Sequence, residues 1–322
     1  MPPSYRLINY SLRPAKAVER KMLCDLFRRF EPFGGIAFYR YIGFGSIYFT
    51  DFQLFHQSLN ISDMISIERD TMNELRFEFN KPYRCVTMEM GDSNVVLPRL
   101  DWSRRCAVWL DYEDILDSKI LADIETIITK APSGSVLIVS INAEPLRKSG
   151  ASFDDVDNFR LISFSQSVGE HNVPSGLSGA QLRGGDIEKS YRRVIINAIE
   201  RCLAAINGPL PSDQKKKIKQ LVNISYADDA RMLTLGIILF EERERTLVDK
   251  CAFEDLHFFR DSDLSYEIKA PRLTQKEVRS LNMLLPKSSA VPVELPGVPK
   301  SDLDDYAEIY RYYPSFVESF LG

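Results

Sequence analysis

Apolar and polar positions along the chain alternate between two periods. From 16 to 30 (KAVERKMLCDLFRRF), Val18, Met22, Leu23, Leu26 and Phe30 recur at helical spacing. This predicts a helix that opens near Pro14 and stops at Pro32, Gly34 and Gly35. Short apolar runs then appear at 36–42, 64–67, 85–90, 106–110 and 135–141, and each reads as a strand. Runs such as VLIV are apolar on both faces, as strands buried between two helix layers are. Helical patterns at 48–58 and 115–129 lie among them. This alternation predicts a parallel sheet with right-handed crossovers. A long helix is expected over 187–206. Two β-like runs follow, 219–226 and 232–240, joined by Ala227-Asp228-Asp229-Ala230, a link short enough for an antiparallel hairpin.

Two stretches break the pattern. Residues 143–186 are rich in Ser, Gly, Asn and Asp, notably in VGEHNVPSGLSGAQLRGGD. They read as a loop-rich insertion, serving either as a lid or as a plain surface excursion. Residues 241–322 carry a helical pattern at 274–285, a Pro-rich connector and an acidic, Tyr-rich end. That end is expected either to pack back on the core or to pair with a second chain through its aromatics. The expected organisation is therefore an N-terminal helical segment (1–35), an α/β core (36–240) holding the insertion, and a C-terminal extension (241–322).

The candidate chemistry lies at the ends of the expected strands. Gly43-Phe44-Gly45-Ser46 follows the first, Glu68 ends the second, Gly91-Asp92 ends the third and Asp111-Tyr112 ends the fourth. Strand, glycine turn, helix, strand and acid is the order of a nucleotide-binding α/β unit. Ligands of open α/β sheets bind outside the carboxyl ends of the strands. A glycine turn lets the backbone approach a ligand, and an acid at the next strand end can hold two ribose hydroxyls.

A mostly parallel sheet closed by an antiparallel hairpin resembles the seven-stranded sheet of the class I, Rossmann-like S-adenosylmethionine-dependent methyltransferases. The likeness is at superfamily level, over about 36–240. It implies an α/β fold with helices on both faces of the sheet, and methyl transfer from S-adenosylmethionine to an unidentified acceptor. By the resemblance, Gly43, Gly45 and Ser46 receive the methionine part of the cofactor, Glu68 the ribose and Asp92 the adenine amino group. Asp111 and Tyr112 then face the transferring methyl, with Asp111 the preferred base and Tyr112 a packing partner. The family usually has an acid where Tyr41 stands, so Tyr41 is expected at the cofactor in its place, and often a third glycine where Ile47 stands, so the turn here is bulkier. Two alternatives stay open. One is a non-catalytic, methyltransferase-like interaction protein. The other is a nicotinamide-dependent oxidoreductase, which would need a glycine at Tyr48.

Other features have plainer expectations. Arg13, Lys16, Glu19 and Arg20 read as a solvated helix face, with a helix folded over the site as the alternative. Glu113 and Asp114 read as the first turn of the next helix, where acids suit the dipole. His56, His171 and His257 show no ligand spacing, although His171 could accept a proton if its loop closed. Asp111 and Asn142 only loosely mimic a metal site, so no metal is expected. The run 215–219 (KKKIK) reads as solvated. Trp109 reads as core and Trp102 as a possible cleft wall.

The 322 residues are 44% hydrophobic and 27% charged, ordinary for a globular protein. A net charge of -4 does not favour nucleic acid as a partner and leaves a small-molecule or protein substrate. Five scattered cysteines without a C-x-x-C pair suggest reduced thiols. The first residues lack the apolar core of a signal peptide, and no apolar run reaches membrane-spanning length. A soluble, cytoplasmic protein without membrane contact is the expectation.

Overall fold

A computed structural model describes residues 13–145, 153–287 and 294–314. Residues 1–12, 146–152, 288–293 and 315–322 lie outside these described residues.

The parallel half of the sheet consists of β1 (Arg40–Gly43), β2 (Asp63–Glu68), β3 (Val86–Met90), β4 (Cys106–Ile115) and β5 (Ser135–Asn142). The hairpin β6 (Lys216–Ala227) and β7 (Arg231–Glu241) closes it, and β8 (Tyr266–Ile268) adds an edge. The spatial order is β3-β2-β1-β4-β5-β7-β6-β8, with β7 antiparallel to both its neighbours. The expected architecture is thus present, with eight strands among the described residues rather than seven. The extra strand is only three residues long and pairs in parallel with Ile224, Ser225 and Tyr226. No period can be read from so short a run.

The helices are α1 (Pro14–Arg28), α2 (Thr50–Leu59), α3 (Glu74–Asn80), α4 (Ser93–Val96), α5 (Ser118–Lys130), α6 (Phe153–Val168), α7 (Asp186–Asn207), α8 (Arg245–Lys250), α9 (Gln275–Asn282) and α10 (Lys300–Ile309). Strand alternation divides the core in two. Tyr41, Trp109, Val136 and Ile138 join Leu23, Phe27, Phe52 and Phe55 of α1 and α2 on one face. Ile42, Val108, Leu110 and Val139 join Ile124 and Ile128 of α5 and Ile195 and Ile199 of α7 on the other.

Three local expectations are corrected. The run 36–42 does not begin as a strand. Gly34 and Gly35 have φ of 95° and 86°, a 3-10 turn occupies Ile36–Phe38, and β1 starts only at Arg40. Glu113 and Asp114 do not open a helix, because β4 continues through an irregularity to Ile115, which pairs with Asn142. The helix starts at Ser118, where the Asp117 carboxylate accepts the Ile120 N–H at 2.9 Å. The insertion is not loop throughout. It contains the 16-residue α6, whose Phe164 stacks on Tyr191 of α7 with centroids 5.4 Å apart.

The described part of the Tyr-rich end packs back on the core. Tyr312 donates to Asp25 of α1 at 2.9 Å, and Ile309 and Tyr312 join the α1-side core. No helix among the described residues is long and apolar enough to cross a membrane.

Candidate active site at the carboxyl edge of the sheet

The glycine turn is tied to the second strand by two backbone donors. Gly45 N–H donates to Ser66 Oγ at 3.0 Å, and Ser46 N–H donates to Glu68 Oε1 at 2.6 Å. Ser46 reaches that position with φ of 47°, a left-handed conformation that costs a non-glycine residue about 1–2 kcal/mol. A Cβ on Gly45 would stand 2.6 Å from the Phe49 ring and 2.7 Å from Ser66 Oγ. On Gly43 it would stand 2.6 Å from the Tyr41 hydroxyl. Both glycines are therefore demanded by the protein's own packing. Tyr41 itself is fully buried, edge-on to Phe52 and Phe55, and so forms the floor of the turn rather than its ligand face.

Glu68 makes no protein hydrogen bond through Oε2 among the described residues, while Ser66 Oγ lies 3.5 Å from Oε1. Burial pushes its pKa up to about 7, against the opposing pull of the Ser46 and Gly45 amides. Gly91 N–H donates to the Glu68 carbonyl at 2.9 Å, which sets Asp92 beside that strand end. Asp92 stands at the start of α4, exposed, and its side chain caps nothing.

Tyr112 does not point into the open. Its hydroxyl donates to Asp123 Oδ2 at 2.6 Å, and its ring meets Phe44 edge-to-face at 5.2 Å. Asp123, a buried residue of α5, also accepts from Ser93 Oγ and from Asn94 Nδ2, both at 2.5 Å. It thereby fastens the turn after Asp92 to the end of β4. Burial raises its pKa, with those three donors opposing. Sequence reasoning passed over Asp123. The available signal was an acid on the apolar face of α5, between Ile120 and Ile124.

Asp111 belongs to a buried charged network, and here the expected solvated helix face is overturned. Lys16 and Glu19 are 0% exposed and Arg20 only 4%. Lys16 Nζ lies 2.7 Å from Asp111 Oδ1, 2.8 Å from Glu19 Oε2 and 4.3 Å above the Trp109 ring. Trp109 Nε1–H donates to Ser140 Oγ at 2.9 Å, Ser140 and Thr234 share a hydrogen bond at 2.7 Å, and Thr234 donates to Glu19 Oε1. Burial raises the Glu19 pKa, with Lys16 pulling the other way. Burial also opposes the charge on Arg20, but its ion pair with Asp51 outweighs this and raises its pKa. The first turns of α1 are held from across the sheet. Asp228, on the β6–β7 connection, accepts the N–H groups of Ala15 and Lys16, each at 3.0 Å.

Asp92, Glu68, the Gly43–Ser46 turn and Asp111 thus stand in a row at the ends of β3, β2, β1 and β4. At about 4.8 Å per strand the row spans about 14 Å. The remaining candidates lie apart from it. His56 Nδ1 meets the Ile61 carbonyl at 2.8 Å, His171 is exposed, and His257 stacks on Tyr312 with its pKa lowered by burial. Asn142 Oδ1 accepts the Glu144 N–H at 2.8 Å. Among the described residues no group of three or more His, Cys, Asp or Glu side chains could hold a metal. A groove lined by His257, Lys287, Glu308, Tyr310, Arg311 and Tyr312 lies on the C-terminal extension and shares no residue with the row.

A family model described as "Putative O-methyltransferase" matches residues 8–321. The chain belongs to that family. S-adenosylmethionine-dependent methyl transfer is the function that this membership and the sheet order support. No curated protein matches the chain in sequence. Solved structures with a similar course include the O-methyltransferase TomG from Streptomyces achromogenes in complex with SAM. It is 12% identical, with 74% of this chain and 93% of that one covered and a TM-score of 0.36. Trm1 from Pyrococcus horikoshii with S-adenosyl-L-methionine is 12% identical over 73% of this chain and 57% of that one, with a TM-score of 0.43. Cofactor-bound Rv0187 from MTB is 15% identical over 69% and 80%, with a TM-score of 0.35. None of these likenesses bears on the substrate or on the roles of single residues.

Proposed function

We propose that this edge binds S-adenosylmethionine and delivers its methyl group to an oxygen acceptor. The observation that carries the reading is the state of Glu68. One carboxylate oxygen is fixed by the Ser46 N–H and the other is left without a protein partner, at the strand end next to the turn. The free oxygen can accept a ribose hydroxyl. Asp92, exposed and uncommitted, suits the adenine amino group, and Asp123 holds its turn in place. Gly43, Gly45 and Ser46 act through Glu68, because two of their N–H groups are already spent on Ser66 and Glu68. The methionine carboxylate is therefore held by something other than those two amides. Tyr41 supports the turn from below. Tyr112 walls the end of β4, and Asp111 Oδ2 is the free acceptor for a proton from the substrate.

When bound, the cofactor supplies an electrophilic methyl group, so positioning provides much of the rate. A small molecule or a protein bearing a hydroxyl, met in the cytoplasm, is the acceptor this reading implies. A second reading, a non-catalytic interaction protein, draws support from the internal use of the turn amides.

Isothermal titration with S-adenosylmethionine and with its demethylated product separates the two. Saturable one-to-one binding, weakened by Glu68→Ala, is expected. Absence of binding to both compounds would overturn the first reading.

A further inference from the structure

The open edge of the sheet at β3, with the helix beside it, forms a surface that the reading above does not use. β3 ends the strand order and pairs only with β2 among the described residues. Met64 N–H donates to the Cys85 carbonyl and Gly91 N–H to the Glu68 carbonyl. The odd-numbered residues of this segment thus turn their backbone groups toward β2, and Val86, Met88 and Met90 turn theirs outward. The strand, VTMEM, holds no Pro or Lys and pairs with β2 without a bulge, so it lacks the common guards of an edge strand. The opposite edge strand, β8, is only three residues long.

The helix beside this edge is equally uncovered. Of its own residues α3 buries only Phe77. Met72, in the turn just before it, is 92% exposed, Leu75 86% and Phe79 88%. Their spacing of three and four sets them along one side of the helix. Phe77 belongs to the core cluster on which Met88 and Met90 pack, so α3 lies on that face of the sheet, at its open edge. The three side chains present about 500 Å², as much as the largest apolar patch of a typical monomer.

We propose that a second copy of this chain covers this surface, its β3 pairing antiparallel with the first about a two-fold axis at Met88. The inference goes beyond the methyltransferase reading and does not depend on it. The sequence of β3 selects both the occupant and the register. With Met88 opposite its own counterpart, Val86 faces Met90 of the second copy, so every outward-facing residue meets another and exchanges N–H and C=O groups with it. Thr87 then faces Glu89 of the second copy, and each carboxylate meets a hydroxyl donor. Centring the axis on Glu89 would set two like charges directly opposite, which destabilises a strand pair. The axis stands normal to the sheet, so both α3 helices lie on one face of a continuous sheet, on either side of the axis. Met72, Leu75 and Phe79 of the two copies then line the seam between them. Two stripes and the paired strands bring together at least about 1,000 Å², which a specific interface requires.

Analytical ultracentrifugation of the full-length protein at tens of micromolar tests the proposal. A species of twice the chain's mass is expected. Leu75→Lys with Phe79→Lys should halve that mass and leave helix and strand content unchanged, because both side chains are exposed. Met88→Pro removes an outward N–H and should do the same; the lysine variant keeps the test open if the proline variant fails to fold. Thr87→Cys with Glu89→Cys tests the register. Facing residues of this kind have Cα atoms about 4.5 Å apart, so mild oxidation should link two copies of this variant covalently but not the parent. A parent protein of single-chain mass would overturn the proposal. So would a dimer that persists in the lysine variant, or one that the paired cysteines fail to link.

Discussion

Glu68 makes cofactor affinity depend on pH in a direction fixed by the structure. In the free protein burial holds its pKa at about 7. A ribose hydroxyl donated to Oε2 favours the charged form and draws the pKa back toward the ordinary carboxylate value of about 4.3. Binding therefore releases a proton wherever the free group is still protonated. At about pH 5.5 the free protein is about 97% protonated at this site, so apparent affinity should be about 30-fold weaker than at about pH 8.5, or about 2 kcal/mol. Calorimetry at about pH 6, in buffers of different ionisation enthalpy, should show about 0.9 proton released per cofactor bound. Glu68→Gln should keep an acceptor for Ser46 while abolishing both the proton release and the pH slope. An affinity that does not change with pH, or a proton taken up on binding, would refute the assignment of Glu68 to the ribose.

The same shift has a consequence for the unliganded protein. A carboxyl whose folded pKa is raised contributes stability that is complete below its unfolded pKa and lost as pH rises through the folded one. Glu68 should thus remove about 3 kcal/mol of stability between about pH 4.5 and about pH 7, and urea melts of Glu68→Gln should lack that component.

Lys16→Met leaves Glu19 and Asp111 facing each other without their shared cation, and should cost about 3–5 kcal/mol in urea denaturation. Lys16→Met with Glu19→Gln should recover most of that loss, and an equal loss in the double variant would count against a charge-based cause. Gly45→Ala places a methyl group 2.6 Å from Phe49 and 2.7 Å from Ser66 Oγ, and should lower stability by about 1–3 kcal/mol while weakening cofactor binding. Unchanged affinity in a folded Gly45→Ala protein would detach the turn from the site. Asp123→Ala strips the shared acceptor from Tyr112, Ser93 and Asn94, so adenosine alone should bind more weakly, by about 1–3 kcal/mol.

The strand-end acids were legible in the sequence because each closes a short, mostly apolar run: Glu68 follows MISI, Asp92 follows the glycine after VTMEM, and Asp111 follows CAVWL. Asp111 was legible too, although β4 runs on beyond it, because residues 111–114 (DYED) carry polar side chains on a strand that has left the core. The helix start was misread there for the same reason. Acids at 113 and 114 look like a first turn, and only the pairing of Ile115 with Asn142 keeps them extended. The α6 helix was missed because its sequence, FDDVDNFRLISFSQSV, mixes polar and apolar residues around the whole cylinder.

The charged stripe of α1 resisted reading for a deeper reason. Lys16, Glu19, Arg20, Leu23 and Phe27 lie on one helical face, at three, four, seven and eleven residues from the first of them. The stripe was present in the sequence, but its first two turns are written in charges. Polarity suggested solvent, whereas periodicity pointed to burial, and periodicity decides here because each charge has a partner waiting on the sheet or on α2: Asp111, Thr234, Asp51. An apolar stripe of the same volume would be at least as stable, since buried ion pairs rarely repay their desolvation. Stability therefore does not account for the network. What the charges supply, and leucines could not, is a polar roof over the ends of β4, β5, β7 and β6, with Asp111 held at one oxygen and free at the other.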